Sequence, residues 1–207
     1  LYRHLFLFGS SPPFNHQLGK AFSQKVHHTK IAILYIDREG SEEYLPKYIE
    51  TLNIPNIQTY PLALKEAYEE HEVEELKQCG GIIIGGGHTL SYHKFIVETE
   101  IADVIRELFS QGVPVAGFSA GALITPAHCV ISPKDNEEGS QLLKEGLGLL
   151  SDAILSAHFL EWDEEEALRT AMHRTESFIG YGIAECSGIY LCNGKIRMSE
   201  GFVQIEQ

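Results

Sequence analysis

The chain has 207 residues, with 16 basic and 29 acidic side chains, a formal net charge of −13, and 43% apolar residues. That balance disfavours nucleic acid and anionic lipid as partners, because affinity for either comes from clustered Lys and Arg. No apolar run approaches the roughly 18 residues of a membrane helix, and the length predicts one globular domain over 1–207 whose core needs no disulfide or metal.

In chain order, His4 to Phe8 reads as a first strand ending in the loop Gly9-Ser10-Ser11-Pro12-Pro13, and Ile31 to Ile36 as a second. Ser41 to Leu52 carries Tyr44, Leu45, Tyr48 and Leu52 at helical spacing, which predicts a surface helix. Asn56 to Tyr60, bounded by Pro55 and Pro61, reads as an edge strand, and the acidic run from Ala63 to Gln78 as a solvated helix. Gly81 to Ile84 is a strand running into Gly85-Gly86-Gly87-His88-Thr89. A helix follows from Ser91 to Ser110, broken near Thr99, and then the strand Val113 to Phe118, which stops at Ser119. Beyond a loop at Ser132 to Gly139, a short strand from Ala153 to Ala157 leads into His158. Asp163 to Arg174 is a predicted helix with Asp163 and Glu166 at capping-box spacing. Gly188 to Cys192, Asn193-Gly194 and Lys195 to Ser199 form a hairpin by the Asn-Gly signal. Continuous apolar strands between helices predict an α/β fold with a mostly parallel sheet covered on both faces. Ligands gather at the carboxyl ends of such strands.

Two loops at that edge could carry chemistry. Gly117-Phe118-Ser119-Ala120-Gly121 fits G-x-S-x-G after a strand and before a helix-compatible segment. A sharp strand-to-helix turn lifts the serine hydroxyl clear of the sheet beside free backbone N–H groups. The same five residues also fit a tight turn with Ser119 as a small N-cap. Of the ten histidines, His158 immediately follows a predicted strand and should share the edge with Ser119. Asp135, Glu137 and Glu138, between the two, are candidate carboxylates to orient its imidazole, and the sequence does not choose among them. Gly85 to Gly87 could set a backbone N–H opposite that of Ala120 to make a two-donor oxyanion hole. The four cysteines form no C-x-x-C pair and no secretory leader is evident, so a reduced, cytoplasmic protein is expected.

The order and spacing of these motifs resemble the dipeptidase E and cyanophycinase family of serine peptidases. The resemblance runs through Phe6 to Gly9, Gly85 to Thr89, Gly117 to Ala122, His158-Phe159 and Gly182-Ile183-Ala184-Glu185. It implies a three-layer α/β/α sandwich similar to class I glutamine amidotransferases, here with a C-terminal hairpin, and neither a metal nor an organic cofactor. It implies Ser119 as nucleophile, His158 as general base and the acid from Asp135 or Glu137. Backbone donors would come from Gly86, Gly87 and Ala120, and His88, where the family commonly has Asn, either lines the pocket or faces solvent. Aspartyl substrates, which the dipeptidase E branch takes with basic residues after His-Phe, are disfavoured by Glu161, Asp163, Glu164, Glu165 and Glu166.

The expected activity is hydrolysis of a small peptide or isopeptide-type amide through an acyl-enzyme. A homodimer is compatible with the sequence. The alternative is a non-catalytic ligand-binding relative with a degenerate triad.

Overall fold

Strands and helices alternate along most of the computed structural model, which describes residues 1–207. The first half comprises β1 (His4–Phe8), α1 (His16–Lys25), β2 (Lys30–Tyr35), α2 (Ser41–Tyr44), β3 (Gln58–Ala63), α3 (Glu70–Lys77), β4 (Gly81–Ile84), α4 (Thr89–Tyr92) and α5 (Ile101–Ser110). The second half comprises β5 (Val115–Phe118), α6 (Ala120–Leu123), β6 (His128–Ile131), β7 (Leu142–Glu145), β8 (Ala153–Ser156), α7 (Glu165–Thr175), β9 (Ile179–Ile183), β10 (Gly188–Cys192), β11 (Lys195–Glu200) and β12 (Val203–Glu206).

Seven strands form the central sheet in the order β11-β10-β1-β5-β4-β2-β3. The five from β1 to β3 in that order are mutually parallel, and the C-terminal hairpin β10–β11 joins antiparallel to β1. Side chains alternate between two buried faces, as the two-residue strand period requires. Leu5, Leu7, Ile82, Ile84 and Val115 face the layer that holds α3 and α5, while Phe6, Phe8, Ile83, Ala116 and Phe118 face α1. On the α1 side, Phe8 stacks on Phe118 at 4.4 Å and Phe14 meets both rings edge-on. Full burial of each such side chain stabilises by about 1.5–3 kcal/mol. The sheet therefore has helices on both faces and is the expected three-layer sandwich.

Local structure departs from the sequence pattern in instructive places. Pro46 turns the continuation of α2 into a 3₁₀ segment, Leu45–Tyr48. The edge strand β3 runs through Pro61, tolerated because only β2 pairs with it, so the acidic helix begins only at Glu70, behind a capping box of Glu69 and Glu72. The predicted break near Thr99 separates a π-helical turn, His93–Val97, from α5. Asp163 is not a helix cap: its φ is +53°, and α7 starts at Glu165 behind Glu164, whose carboxylate accepts the Ser132 hydroxyl.

A smaller sheet, β12-β9-β8, and a ribbon, β6–β7, accompany the main one. β8 and β9 are parallel with Ser156 opposite Gly182, so the chain leaves both strands at the same edge. The hairpin is tied back to α1, where the backbone N–H groups of Gln17 and Leu18 donate to the Glu200 carboxylate at 3.1 and 2.9 Å.

Candidate active site

At the end of β5 the backbone turns so tightly that Ser119 takes φ 53° and ψ −108°, a conformation that costs a non-glycine residue roughly 1–3 kcal/mol. The neighbours must be small. A Cβ on Gly117 would lie 2.4 Å from the Gly121 carbonyl oxygen, and one on Gly121 would lie 2.4 Å from that of Ile84. The turn is held by the Ser119 N–H donating to Phe8 O at 3.0 Å and the Gly121 N–H to Gly85 O at 3.0 Å.

The structure brings Ser119 and His158 together, with Ser119 Oγ 2.9 Å from His158 Nε2. His158, just past β8, has φ +47° and donates its backbone N–H to Gly9 O at 2.9 Å. Its ring stacks on Trp162 at 4.3 Å and 22°. The other imidazole nitrogen, Nδ1, is 2.9 Å from Glu185 Oε1. Glu185 follows β9, and its loop is pinned on several sides. Its own N–H donates to the Glu161 carboxylate at 2.8 Å, the Cys186 N–H to Ser10 Oγ at 2.9 Å, and Asn15 Nδ2 to Cys186 O at 2.8 Å. Hydroxyl, imidazole and carboxylate thus form one continuous chain of hydrogen bonds.

The carboxylate on the imidazole is therefore not one of the loop residues the sequence offered. Asp135 accepts the Thr89 hydroxyl instead, and burial raises its pKa, opposed by that hydrogen bond and by nearby His88 and His158. Glu137 and Glu138 are exposed, on the far part of a loop whose 3₁₀ turn, Pro133–Asp135, points only Asp135 inward. Glu185 lies in the motif Gly182-Ile183-Ala184-Glu185, at the end of β9, whose glycine-interrupted pattern carries no strand signal.

Of the oxyanion candidates, Gly86 packs directly beneath the serine: a Cβ there would sit 3.3 Å from Ser119 Cβ. Its N–H, however, already donates to Tyr48 Oη at 3.2 Å. The amides of Gly87 and Ala120 have no acceptor within the protein. His88 is exposed and its Nδ1 lies 2.8 Å from Ser91 Oγ. Three of the five acids after His158 have local partners: Glu161 takes the Glu185 amide, Glu164 the Ser132 hydroxyl, and Glu165 pairs with Arg169. No group of three or more His, Cys, Asp or Glu side chains has metal-binding geometry, and no helix is long and apolar enough to cross a membrane.

Comparisons with known proteins bear on the family and the fold. The profile of Peptidase family S51 matches residues 5–199. A cyanophycinase of Nostoc sp. strain PCC 7120 is 25% identical over 144 residues, 67% of this chain and 48% of that protein, so the matched region spans about half the length of that relative. Among solved structures, a peptidase from an acI-B1 actinobacterium superposes with a TM-score of 0.71 at 19% identity, over 99% of this chain and 87% of the other. A Listeria monocytogenes EGD-e protein described as a candidate peptidase E gives 0.69 at 18% identity, over 98% and 100%. At such identities the structural matches speak for the fold.

Proposed function

The chain belongs to Peptidase family S51, and from that premise we propose that it is a serine-type hydrolase that cleaves a small peptide or isopeptide-like amide through an acyl-enzyme. The observation that carries the reading is the unbroken relay Ser119 Oγ–His158–Glu185, with 2.9 Å at each step. Ser119 Oγ forms the new bond to the substrate carbonyl carbon as its proton passes to His158 Nε2. Glu185 keeps the imidazole oriented and offsets the charge it acquires. The negative charge that develops on the carbonyl oxygen is met by the free N–H groups of Gly87 and Ala120, fixed before the substrate arrives. When the C–N bond breaks, His158 gives the proton to the departing amine. Water then adds to the acyl carbon with its proton passing to His158, the bond to Ser119 Oγ breaks as His158 returns that proton to the serine oxygen, and the carboxylic acid leaves.

Asp135 and Glu137 have no step in this scheme. No step calls for a metal or organic cofactor. Against the non-catalytic alternative stands the hydrogen-bonded chain from Ser119 through His158 to the Glu185 carboxylate.

The test pairs chemical labelling with mutation. A fluorophosphonate probe should modify Ser119, and Ser119→Ala should lower turnover of the best peptide substrate by on the order of 10⁶ while leaving the melting temperature nearly unchanged. A folded native protein that neither reacts with the probe nor hydrolyses any member of a dipeptide library would overturn the reading.

A further inference from the structure

Between the carboxyl ends of β2 and β4 lies a cavity of about 220 Å³, lined by Tyr35, Tyr44, Leu45, Tyr48 and Tyr92, with Arg38 at its rim. It is next door to the nucleophile. Its floor is the glycine loop: Tyr48 Oη accepts the Gly86 N–H and Tyr92 Oη donates to Gly86 O, both at 3.2 Å. Gly86 in turn packs against Ser119 Cβ. One peptide unit therefore separates the cavity from the reacting hydroxyl.

The sheet order decides which part of a substrate can reach it. His158 is anchored on Gly9, past β1, on one side of β5, whereas the glycine loop and the cavity lie on the other side, past β4 and toward β2. The leaving amine must meet His158 Nε2 to receive its proton, so the group that crosses the glycine loop belongs to the acyl residue. The lining decides its chemistry. Tyr44 and Tyr48 present rings crossed at 78°. The Tyr48 oxygen accepts from Gly86 and the Tyr92 hydroxyl donates to it, and burial pushes the Tyr92 phenol up to about 12, so it stays neutral. Arg38 and Glu39, both exposed, complete the mouth together with Ser41, His88 and Ser91. A single aromatic ring has the right size, since an apolar cavity of about 150 Å³ holds benzene.

The geometry points to this cavity as a subsite for an uncharged aromatic side chain on the acyl side of the scissile bond, so that the preferred substrate is a dipeptide with Phe or Tyr first. The assignment of side rests on the acyl-transfer reading above; the binding of the ring does not.

The two can be tested apart with L-phenylalanyl-L-alanine, L-alanyl-L-phenylalanine and L-alanyl-L-alanine. Calorimetry on Ser119→Ala should show Phe-Ala binding about 10- to 100-fold more tightly than Ala-Ala, the range set by burying one ring. Native kcat/KM should favour Phe-Ala over both other peptides. Leu45→Trp, which fills the cavity, should bring the Phe-Ala to Ala-Ala ratio close to one, and Tyr44→Ala, which removes a wall without adding bulk, should lower it. A binding preference without hydrolysis of any peptide supports the subsite and sinks the serine mechanism. Hydrolysis with no preference for Phe-Ala, a preference for Ala-Phe, or a Phe-Ala preference that survives both variants in folded protein overturns the subsite.

Discussion

The two halves of the site are built differently. The nucleophile half, Ser119 with the Gly85 to Gly87 loop, rises from the middle of the seven-stranded sheet, where β5 is paired on both sides and Phe118 is fully buried. There the required backbone strain is enforced by packing so close that glycines are needed at 117 and 121. The base half, His158 and Glu185, is carried at the margin by the small β8–β9–β12 sheet and by loop-to-loop hydrogen bonds. His158 is 16% exposed but Glu185 is 45% exposed. The contrast teaches that the position of the hydroxyl is a property of the fold, whereas that of the imidazole depends on a few individual contacts, which can be removed without unfolding the core.

After loss of the nucleophile itself, breaking the base half at its acid should have the largest effect. Glu185→Gln keeps the shape but offers Nδ1 an amide in place of a carboxylate, so the tautomer is no longer fixed and the imidazolium is no longer offset. Loss of the equivalent interaction in buried triads costs about 10⁴ in kcat. Because Glu185 is partly exposed and its charge is screened by solvent, a fall of about 10² to 10⁴ is expected, with KM little changed and thermal stability within a degree or two. Steady-state kinetics on the variant checks it, and kcat within a factor of three of native would remove Glu185 from the relay.

Trp162 tests a smaller part of the same half. Its indole lies parallel to the imidazole at 4.3 Å, where it both restricts the ring and stabilises the cationic form that appears during acyl transfer. An aromatic face under a cation is worth roughly 0.5–2 kcal/mol, or about 2- to 30-fold. Trp162→Leu should therefore lower kcat by that factor in steady-state kinetics. Trp162→Phe should recover part of the loss. A purely structural role would lower the melting temperature but leave kcat of the folded protein unchanged.

How far the sequence foretold each half follows from the same contrast. Strand-like runs such as Gly81 to Ile84 and Val115 to Phe118 are uninterrupted and apolar because both faces of the sheet are covered, so the elbow and the glycine loop could be located from residues alone. β9 could not, because Ile179-Gly180-Tyr181-Gly182-Ile183 has glycines at alternate positions. Those glycines make room for other groups: a Cβ on Gly180 would strike Met172 and Leu168 of α7, and one on Gly182 would strike the Phe159 ring at 2.4 Å. With the strand unread, Glu185 had no visible reason to stand beside His158, and the nearer loop acids took its place. α1 carries no clear sequence signal for a related reason. Only Leu18, Gly19, Ala21 and Phe22 are buried in an otherwise polar segment, and the carboxylate at its N-terminus comes from Glu200, more than 180 residues away in sequence.

The smallest expected effect concerns Asp135, which supports the nucleophile half by accepting the hydroxyl of Thr89 at the start of α4, immediately beyond the glycine loop. Burial raises its pKa despite that hydrogen bond. A carboxyl with a folded-state pKa above its unfolded value contributes stability that is complete below the unfolded value, near 4, and is lost as pH rises through the folded one. Asn cannot ionise but still offers an oxygen to Thr89. Relative to native protein, Asp135→Asn should therefore gain stability as pH rises from about 4 toward neutrality, by no more than a few degrees in Tm because the group is only partly buried. Thermal melts of both proteins across that range measure the difference. A gap that moved in the opposite direction would mean that the Asp135 carboxylate is stabilised as an anion, as a partner of His158 would be, and the division of labour between the two carboxyls would have to be redrawn.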